Sequence, residues 1–494
     1  MKGATARSAF TTAPTATDPY SYQCGFGNRF ASESIPSVLP RGQNCPQRVK
    51  YDLYSEQLNG SSFVSARQAL QHVWMYRIRP SVVHGELSRS DLNSKLEAYF
   101  GPANPRVEYN PSQQAWNPFP VPEASPSSSI DFVHGLRTVA GQGDPTSKQG
   151  IAIHIYTANA SMQNRAFCNN DGDFLILPQQ GRLDIQTELG NVMVRPGELA
   201  VIQAGIRFKV SLPDGPSRGY IQEIFGAHYE LPELGPIGSN GMALPRDFEY
   251  PVASFDLDSS SIWEIVYKLA GTLHSCHQPH TPFDVVAWHG NYAPYKYAIE
   301  KFINMANVER DQADPTIYCV LTARSIIPGV SLTDFLVFTP KWISTTNTFR
   351  PPYYHRNMST EVMGLVYGTY GGSSHVLEPG GLSYEASYMP HGETYETWKM
   401  ATTQDLRPTR ACEDTLAFMF HVSVPLMLTQ WAMESPARNP TDVKVLAGFE
   451  GHFLEHLDEV NEELRSRGLP VLGEESASLG VTNGEGAAKL GNGV

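Results

Sequence analysis

Alternating apolar and polar positions mark the chain most clearly between about residues 150 and 226. Apolar residues two positions apart recur at Leu183/Ile185, Val192/Val194, Leu199/Val201 and Phe208/Val210. Because successive side chains of a strand point to opposite faces, this period is typical of half-buried strands. Turn dipeptides, among them Gly190-Asn191 and Pro196-Gly197, separate the pairs. Short strands at such regular spacing predict a β-sandwich or jelly roll.

A second strand-rich region covers about residues 283–425. Its apolar runs lie at 283–288, 316–321, 334–338 and 417–422. The fold class is therefore predicted to be mainly β, with two β-rich jelly-roll-like domains at 21–282 and 283–470. The low-complexity ends, 1–20 and 471–494, contain few large apolar residues and are predicted to be disordered.

One helix is predicted near the end of the chain. Apolar residues spaced three or four apart form a single helical stripe at Leu446, Phe449, Phe453, Leu457, Val460 and Leu464. Asn439-Pro440 offers an N-cap and a first-turn proline. The stripe is expected to pack and to carry no chemistry.

Composition excludes several classes of function. The 494 residues include 37 basic and 50 acidic side chains, a formal net charge of −13, which argues against a nucleic-acid-binding protein. There is no long apolar run that would span a membrane and no apolar signal segment. Six scattered cysteines without a CxxC pair are typical of reduced thiols, and a cytoplasmic location is expected. An organellar transit peptide is the alternative for the Ser/Thr/Ala-rich N-terminus.

His355, Glu361 and His391 are candidate metal ligands. His355 and Glu361 are six residues apart, a spacing that brings both side chains to one ion in an extended or looped segment but not on a helix. With His391 they have the composition of the 2-His-1-carboxylate triad, which binds Fe(II) and leaves positions open for substrate and O₂. From spacing alone, an ordinary ion pair or a satisfied buried histidine is the default interpretation.

Two other histidine sites are possible. His289 follows an apolar run at a Gly-Asn turn, a place that suits a general base near neutral pH, although a structural histidine is the preferred interpretation from the residue alone. His274, Cys276, His277 and His280 lie within seven residues, but their spacing matches no common zinc pattern. Exposed loop residues are the preferred interpretation of that cluster.

Longer sequence segments around these residues match those of a known protein family. The chain resembles the homogentisate 1,2-dioxygenase family from about residue 22 to about 455. The resemblance is carried by Gly25-Phe-Gly-Asn28, YDLYSEQLNGSSF at 51–63, DGDFLILP at 171–178, ELGPIGSNG at 233–241, VVAWHGNYAPYKY at 285–297 and FRPPYYHRN at 349–357.

The resemblance implies an iron enzyme. It implies a cupin-like C-terminal domain that binds Fe(II) through His355, Glu361 and His391, and a homo-oligomer, a hexamer built from trimers. It also implies that His289 takes the phenol proton and that Tyr370 lies beside the substrate, with Arg356 as another group able to orient the substrate acetate. The implied reaction cleaves the homogentisate ring with O₂ to give maleylacetoacetate, a step of tyrosine and phenylalanine catabolism.

One position departs from the family pattern. Six residues before His391, where the family usually has a second active-site histidine, this chain has Glu385. Tyr370, His391 and Glu385 are the expected substrate-binding positions. An ionised carboxylate accepts hydrogen bonds but does not donate them, so Glu385 raises the alternative of a related enzyme that cleaves another dihydroxylated aromatic. A cupin-like binding protein without turnover is a further alternative, which the complete triad and His289 disfavour. A zinc hydrolase is another, and the lack of a nearby nucleophile-activating motif disfavours it.

Overall fold

Strands are the main regular structure of the computed structural model, and all but one of their described pairings are antiparallel. It describes residues 12–40, 48–61, 63–123, 128–233, 243–304, 318–344, 354–372, 375–405, 407–439 and 448–473. The first strands are β1 Tyr22–Cys24, β2 Phe30–Glu33, β3 Tyr54–Leu58, β4 Val73–Arg77, β5 Ser88–Arg89, β6 Val107–Glu108, β7 Gln114–Trp116, β8 Leu136–Asp144, β9 Gln149–Ala158, β10 Arg165–Asn169, β11 Gly172–Gln180, β12 Leu183–Thr187, β13 Gly190–Val194, β14 Glu198–Ile202, β15 Arg207–Ser211 and β16 Ser217–Phe225.

The later strands are β17 Tyr229–Glu230, β18 Phe248–Pro251, β19 Trp263–Leu269, β20 Thr272–Gln278, β21 Val285–Gly290, β22 Tyr295–Ala298, β23 Cys319–Arg324, β24 Ser331–Phe338, β25 Lys341–Ser344, β26 Thr360–Tyr367, β27 Tyr370–Gly372, β28 His375–Leu377, β29 Leu382–Glu385, β30 Thr409–Ala411, β31 Leu416–Val422, β32 Met427–Thr429 and β33 Arg438–Asn439. The helices are α1 Phe132–Gly135, α2 Tyr395–Thr403, α3 Gln430–Glu434 and α4 Leu457–Ser466. The predicted mainly β fold class with a C-terminal helix is confirmed. The four apolar pairs of the first region lie in β12, β13, β14 and β15.

Two large antiparallel sheets organise the chain. The ten-stranded sheet has the order β1-β18-β22-β14-β11-β16-β9-β8-β32-β6, and the eight-stranded sheet has the order β17-β23-β24-β31-β26-β29-β7-β33. The ten-stranded sheet includes β22 from the predicted C-terminal domain, and the eight-stranded sheet includes β7 from the predicted N-terminal domain. Both sheets therefore combine strands from the two predicted domains. The domain boundary at 282/283 stays a prediction.

The two sheets pack face to face. Tyr220 of β16 meets Phe418 of β31 with ring centroids 4.8 Å apart, and its hydroxyl donates to the carbonyl of Leu365 at 3.0 Å. Val362, Val366 and Phe420 belong to the same buried core. Because side chains alternate along a strand, Glu361, Met363 and Leu365 of β26 project from the other face of the eight-stranded sheet. That face carries the candidate site.

A buried ion network joins the ten-stranded sheet to a neighbouring seven-stranded sheet. Lys268 Nζ of β19 donates to Asp171 at 2.7 Å and to Glu223 of β16 at 2.8 Å, while His154 Nε2 lies 3.0 Å from Glu223. Burial alone would raise the pKa of Glu223, but the charge of Lys268 and the contacts of His154 outweigh it and hold the pKa well below its usual range. Glu223 therefore stays ionised in the fully buried network.

Replacing Glu223 with glutamine is expected to destabilise the protein strongly. Among the described residues, Lys268 would then keep Asp171 as its one carboxylate partner, and breaking a buried pair costs about 3–5 kcal/mol. Because the folded-state pKa is depressed, the stabilisation is present above the unfolded-state pKa and lost as the pH falls below it. Urea unfolding at neutral and acidic pH measures both effects. Asp214→Asn, which breaks the more exposed pair with Arg182, is the control and should cost less than about 1 kcal/mol; equal costs for the two variants would contradict the account.

Two regions near the ends of the chain differ from the predictions. Residues 12–20 belong to the segment predicted to be disordered, yet Tyr20 donates to Asp184 at 2.8 Å and Asp18 pairs with Lys296 at 2.5 Å. Among the described residues, α4 begins at Leu457 after a 3₁₀ turn at His452–His456, and Asn439, the predicted N-cap, lies in β33. Pro440 and most of the predicted tail fall outside the described residues.

The chain divides into two compact units, residues 1–442 and residues 443–494. The candidate site lies within the first unit, and α4 lies in the second. In the described part of the chain, none of the helices is both long and apolar enough to cross a bilayer.

Candidate metal centre

The two candidate histidine ligands are held side by side by main-chain hydrogen bonds. His355 and His391 form an isolated antiparallel bridge in which each backbone N–H donates to the other carbonyl, at 3.0 and 3.1 Å. Cross-strand partners present their side chains on one side, and the two ring centroids are 4.2 Å apart. The loop before His391 is anchored as well, since Tyr388 N–H donates to the Asn357 carbonyl at 2.7 Å.

Glu361 approaches the two rings from the start of β26. One carboxylate oxygen, Oε1, lies 3.4 Å from His355 Nε2, and Oε2 lies 3.3 Å from His391 Nε2. Asn357 Nδ2 donates to Oε1 at 3.0 Å and so fixes the carboxylate from a third direction. The structure thus brings together His355, Glu361 and His391, the three residues predicted as ligands.

Glu361 is in the charge state that metal binding needs, and His391 binds a metal only after it gives up its proton. Burial would raise the pKa of Glu361, but its contacts with His355 and His391 outweigh burial and hold the pKa well below its usual range. Burial lowers the pKa of His391, and the contact with Glu361 overrides it and raises the pKa to about 9. Glu361 is therefore ionised at neutral pH, the form that binds a metal ion.

The donor set fits a metal ion. One ligand atom from each of the three residues lies within 4.8 Å of the others. Neighbouring ligands around an ion at about 2.1 Å stand roughly 3 Å apart, close to the two His–Glu distances. His391 Nε2 is also buried and lacks a hydrogen bond of good geometry among the described residues, as expected of an atom placed to bind an ion. Two imidazoles and one carboxylate are the ligands of the facial triad that binds Fe(II).

Glu385 lies beside the triad on the neighbouring strand. Its Cα is the direct cross-strand partner of Glu361, so both carboxyl groups occupy the same face of the sheet. Gln113 donates a hydrogen bond to Glu385 Oε1. Burial, reinforced by the charge of Glu361 and opposed by His391 and Gln113, raises the pKa of Glu385 to about 8. The Glu385 carboxyl is thus mostly protonated at neutral pH and can donate a hydrogen bond.

An apolar layer adjoins the triad on this face. Met363, Leu365, Leu377 and Ala417 form a small buried cluster against which Phe338, Tyr370 and Met419 pack. The rings of Tyr370 and Phe338 are 5.6 Å apart. Burial first, and then the charges of Glu393 and other groups including Glu361, raise the pKa of the Tyr370 phenol, which stays neutral. Tyr370 therefore belongs to the surroundings of the triad.

The structure does not bring His289 to the triad within one chain. His289 is the penultimate residue of β21, and its Nε2 lies 3.3 Å from the Tyr76 hydroxyl. Burial, together with the positive charges of His72 and Arg29, lowers the pKa of His289, so the ring is neutral near pH 7. Among the described residues, no hydrogen bond, ion pair or ring contact links His289 with the three candidate ligands.

Gly290 fixes the end of this strand. Its φ is +151°, and a Cβ at this position would stand 2.2 Å from the carbonyl oxygen of His72. A side chain here would therefore shift β21 away from β4 and displace His289.

The cluster at 274–280 was interpreted incorrectly as an exposed loop. His274, Cys276 and His277 lie in β20, with Cys276 buried and His277 exposed, and His280 beyond the strand is buried. Alternation along the strand puts His277 on the face opposite to His274 and Cys276, and the four residues form no metal-binding group among the described residues.

Sequence reasoning missed several neighbours of the site. Asn357 stands between two ligands in the sequence, and its proximity was a usable signal. Gln113 lies far away in the chain and gave none. Glu393 was also overlooked: it follows His391 by two residues, and burial raises its pKa to about 7.

Comparison with known proteins identifies the family. A family model described as the homogentisate 1,2-dioxygenase N-terminal region matches residues 21–299, and its C-terminal counterpart matches residues 300–453. The homogentisate 1,2-dioxygenase of Arabidopsis thaliana is 46% identical over 446 residues, which cover 90% of this chain and 95% of the relative. Those of Caenorhabditis elegans and Mus musculus are 47% and 46% identical, with 84% of this chain covered in each case and 94% and 92% of the relatives. The chain therefore belongs to the homogentisate 1,2-dioxygenase family and is an oxidoreductase of that type.

Proposed function

We propose that this protein is an Fe(II)-dependent dioxygenase that cleaves the ring of homogentisate with O₂ to give maleylacetoacetate, in the catabolism of tyrosine and phenylalanine. Both atoms of O₂ enter the product, so the reaction needs no further reductant. The convergence of His355, Glu361 and His391 from separate segments is the observation that carries the proposal. The family to which the chain belongs supports the choice of substrate.

Different groups of residues would bind the metal ion, the aromatic ring and the acetate of the substrate. The triad would hold Fe(II), which supplies open positions where an electron-rich phenolate and O₂ meet. The single carboxylate leaves net positive charge at the site, which favours an anionic ligand. The apolar layer with Met363, Met419 and Tyr370 offers a surface for an aromatic ring. Tyr370 and the exposed Arg356 are the candidates to orient the substrate acetate.

Proton removal is assigned to His289 in this proposal. A neutral imidazole accepts a proton at neutral pH, and the lowered pKa of His289 keeps it in that form. Because His289 and the triad make no direct contact in one chain, the assignment rests on the resemblance and needs its own test. The predicted homo-oligomer is likewise a proposal, which sedimentation of the purified protein measures.

Oxygen uptake tests the proposed function. Apoprotein is loaded with Fe(II) under anaerobic conditions and then supplied with homogentisate and air. We expect O₂ consumption stoichiometric with homogentisate and appearance of the ring-opened product. Bound iron without O₂ uptake on any of a panel of substituted hydroquinones would overturn the proposal in favour of a binding protein.

A related enzyme for another dihydroxylated aromatic is the second candidate function. Its support is Glu385, a buried carboxyl group on the face of the triad where the family usually has histidine. O₂ uptake with other hydroquinones but not with homogentisate would select this candidate.

Glu385→His is expected to leave homogentisate turnover unchanged or to raise it by a few fold. Imidazole donates a hydrogen bond at neutral pH in either of its charge states, as the protonated carboxyl group of Glu385 does. The comparison is the ratio of kcat/KM for homogentisate to that for other hydroquinones, in Glu385→His and in the isosteric Glu385→Gln. Complete loss of turnover in both variants, with metal still bound, would show that the glutamate has its own required role.

A further inference from the structure

We propose that His421, oriented by Asp334, is a positioning residue for the carboxylate of Glu361. This inference rests on the proposed metal-binding role of the triad and adds to it a pair of residues from two further strands. Neither residue is among the three candidate ligands.

Strand register places these groups in one transverse row. Asp334 of β24 is the cross-strand partner of His421 of β31, and His421 is the partner of Glu361 of β26. Glu385 of β29 continues the row on the far side of Glu361. Since directly opposed residues of adjacent strands share a face, all four side chains project from the face that carries the triad.

The imidazole of His421 stands between two carboxylates. Its Nε2 lies 3.8 Å from Glu361 Oε1, and its Nδ1 lies 4.0 Å from Asp334 Oδ2. Both distances exceed a hydrogen bond, and a small rotation of the ring or of Glu361 would shorten them. Such contacts are often long before a site is loaded and tighten when its ligand is bound.

Asp334 is itself held in place. Thr322 Oγ1 donates to its Oδ1 at 2.6 Å, and Ser331 Oγ donates to its Oδ2 at 3.1 Å. The strand therefore presents a fixed acceptor to His421. A histidine between a fixed carboxylate and a ligand carboxylate has its ring orientation determined from both sides, as in the second layer of many metal sites.

The two sides of Glu361 differ in chemistry. On one side, Asn357 donates to Oε1 and His421 Nε2 lies 3.8 Å from the same oxygen, and on the other side stands the carboxyl group of Glu385. With an apolar residue at 421, Oε1 would lose a polar neighbour and the carboxylate would gain rotational freedom. The expected consequence is a weaker and less ordered metal site.

Variants at His421 and Asp334 are expected to stay folded. The side chains of His421 and Asp334 are 29% and 27% exposed, so a substitution leaves no deeply buried cavity. Melting temperature is therefore expected to change little, and it serves as the check that each variant is folded.

Metal titration of the full-length apoprotein tests the inference. Co(II) is added anaerobically to the parent protein, His421→Leu, His421→Gln and Asp334→Asn, and affinity is followed by calorimetry and by the visible spectrum of bound Co(II). Loss of a residue that orients a ligand typically weakens binding about 10- to 100-fold, and we expect this for His421→Leu with an altered spectrum. His421→Gln, whose amide can reach toward Glu361, should stay within a few fold of the parent, and Asp334→Asn should lie between the two.

The outcomes are distinct. His277→Leu, a change at an exposed histidine on another sheet, is the control and should bind Co(II) like the parent. A parent protein that binds no Co(II) would overturn the proposed function together with this inference. A parent that binds Co(II) while folded His421→Leu keeps the same affinity and spectrum would overturn the inference alone. Should His421→Leu fail to fold, parent-like affinity in both His421→Gln and Asp334→Asn would also overturn it.

Discussion

Glu361→Ala is expected to remove metal binding and ring cleavage together. Glu361 is the only carboxylate among the three candidate ligands, and it faces both histidines at 3.3 and 3.4 Å. Without Glu361, two neutral imidazoles remain. They bring no negative charge to a divalent ion, and they supply only two of the three ligands of the 2-His-1-carboxylate triad. Iron content after anaerobic reconstitution should fall to background, and O₂ uptake with homogentisate should fall with it.

Matched control variants distinguish loss of metal binding from loss of folding. His355→Ala and His391→Ala should behave like Glu361→Ala, whereas His277→Ala, at an exposed position of β20, should retain both iron and activity. Melting curves should show that all variants are folded. Full iron content in folded Glu361→Ala would contradict the assignment of the ligands.

His289→Ala is expected to retain iron and lose most turnover. The residue makes no contact with the candidate ligands among the described residues, so its removal should leave metal binding intact. A positioned general base typically contributes about 10²- to 10⁴-fold to the rate, and kcat should fall by that amount. The measurement is kcat per bound iron across a range of pH.

Tyr76→Phe is the matched control for His289. It removes the hydroxyl group that lies 3.3 Å from His289 Nε2 but leaves the ring against which the imidazole stacks. A change of only a few fold is expected in Tyr76→Phe. Turnover of His289→Ala equal to that of the parent would remove His289 from the mechanism.

Local patterns predicted the strands well. The two-residue period at Leu183/Ile185 and Phe208/Val210 corresponds to β12 and β15, because one face of each strand is buried. The helix was harder to delimit, since an apolar stripe from Leu446 onward does not show where main-chain hydrogen bonding starts, and α4 begins at Leu457. Near the N-terminus, Asp18 and Tyr20 are ordered by contacts with Lys296 and Asp184, which no composition rule reveals.

The ligand set followed from residue type and resemblance, but its surroundings did not. His355 and His391 meet through a main-chain bridge between two loops, and spacing alone could not show this. His421, Asp334 and Gln113 reach the site through strand register across the eight-stranded sheet, and register depends on tertiary pairing. The protonation of Glu385 depends on its burial, so the sequence showed an unusual residue without showing that it can donate a hydrogen bond.

Electron paramagnetic resonance of the Fe(II)-loaded protein with nitric oxide tests the central claim most directly. Nitric oxide stands in for O₂ and gives a high-spin iron–nitrosyl signal only where Fe(II) has an open position. The account predicts this signal in the parent protein, a change of the signal when homogentisate is added, and no signal in Glu361→Ala. Tightly bound iron that yields no nitrosyl signal, or an unchanged signal in Glu361→Ala, would contradict it.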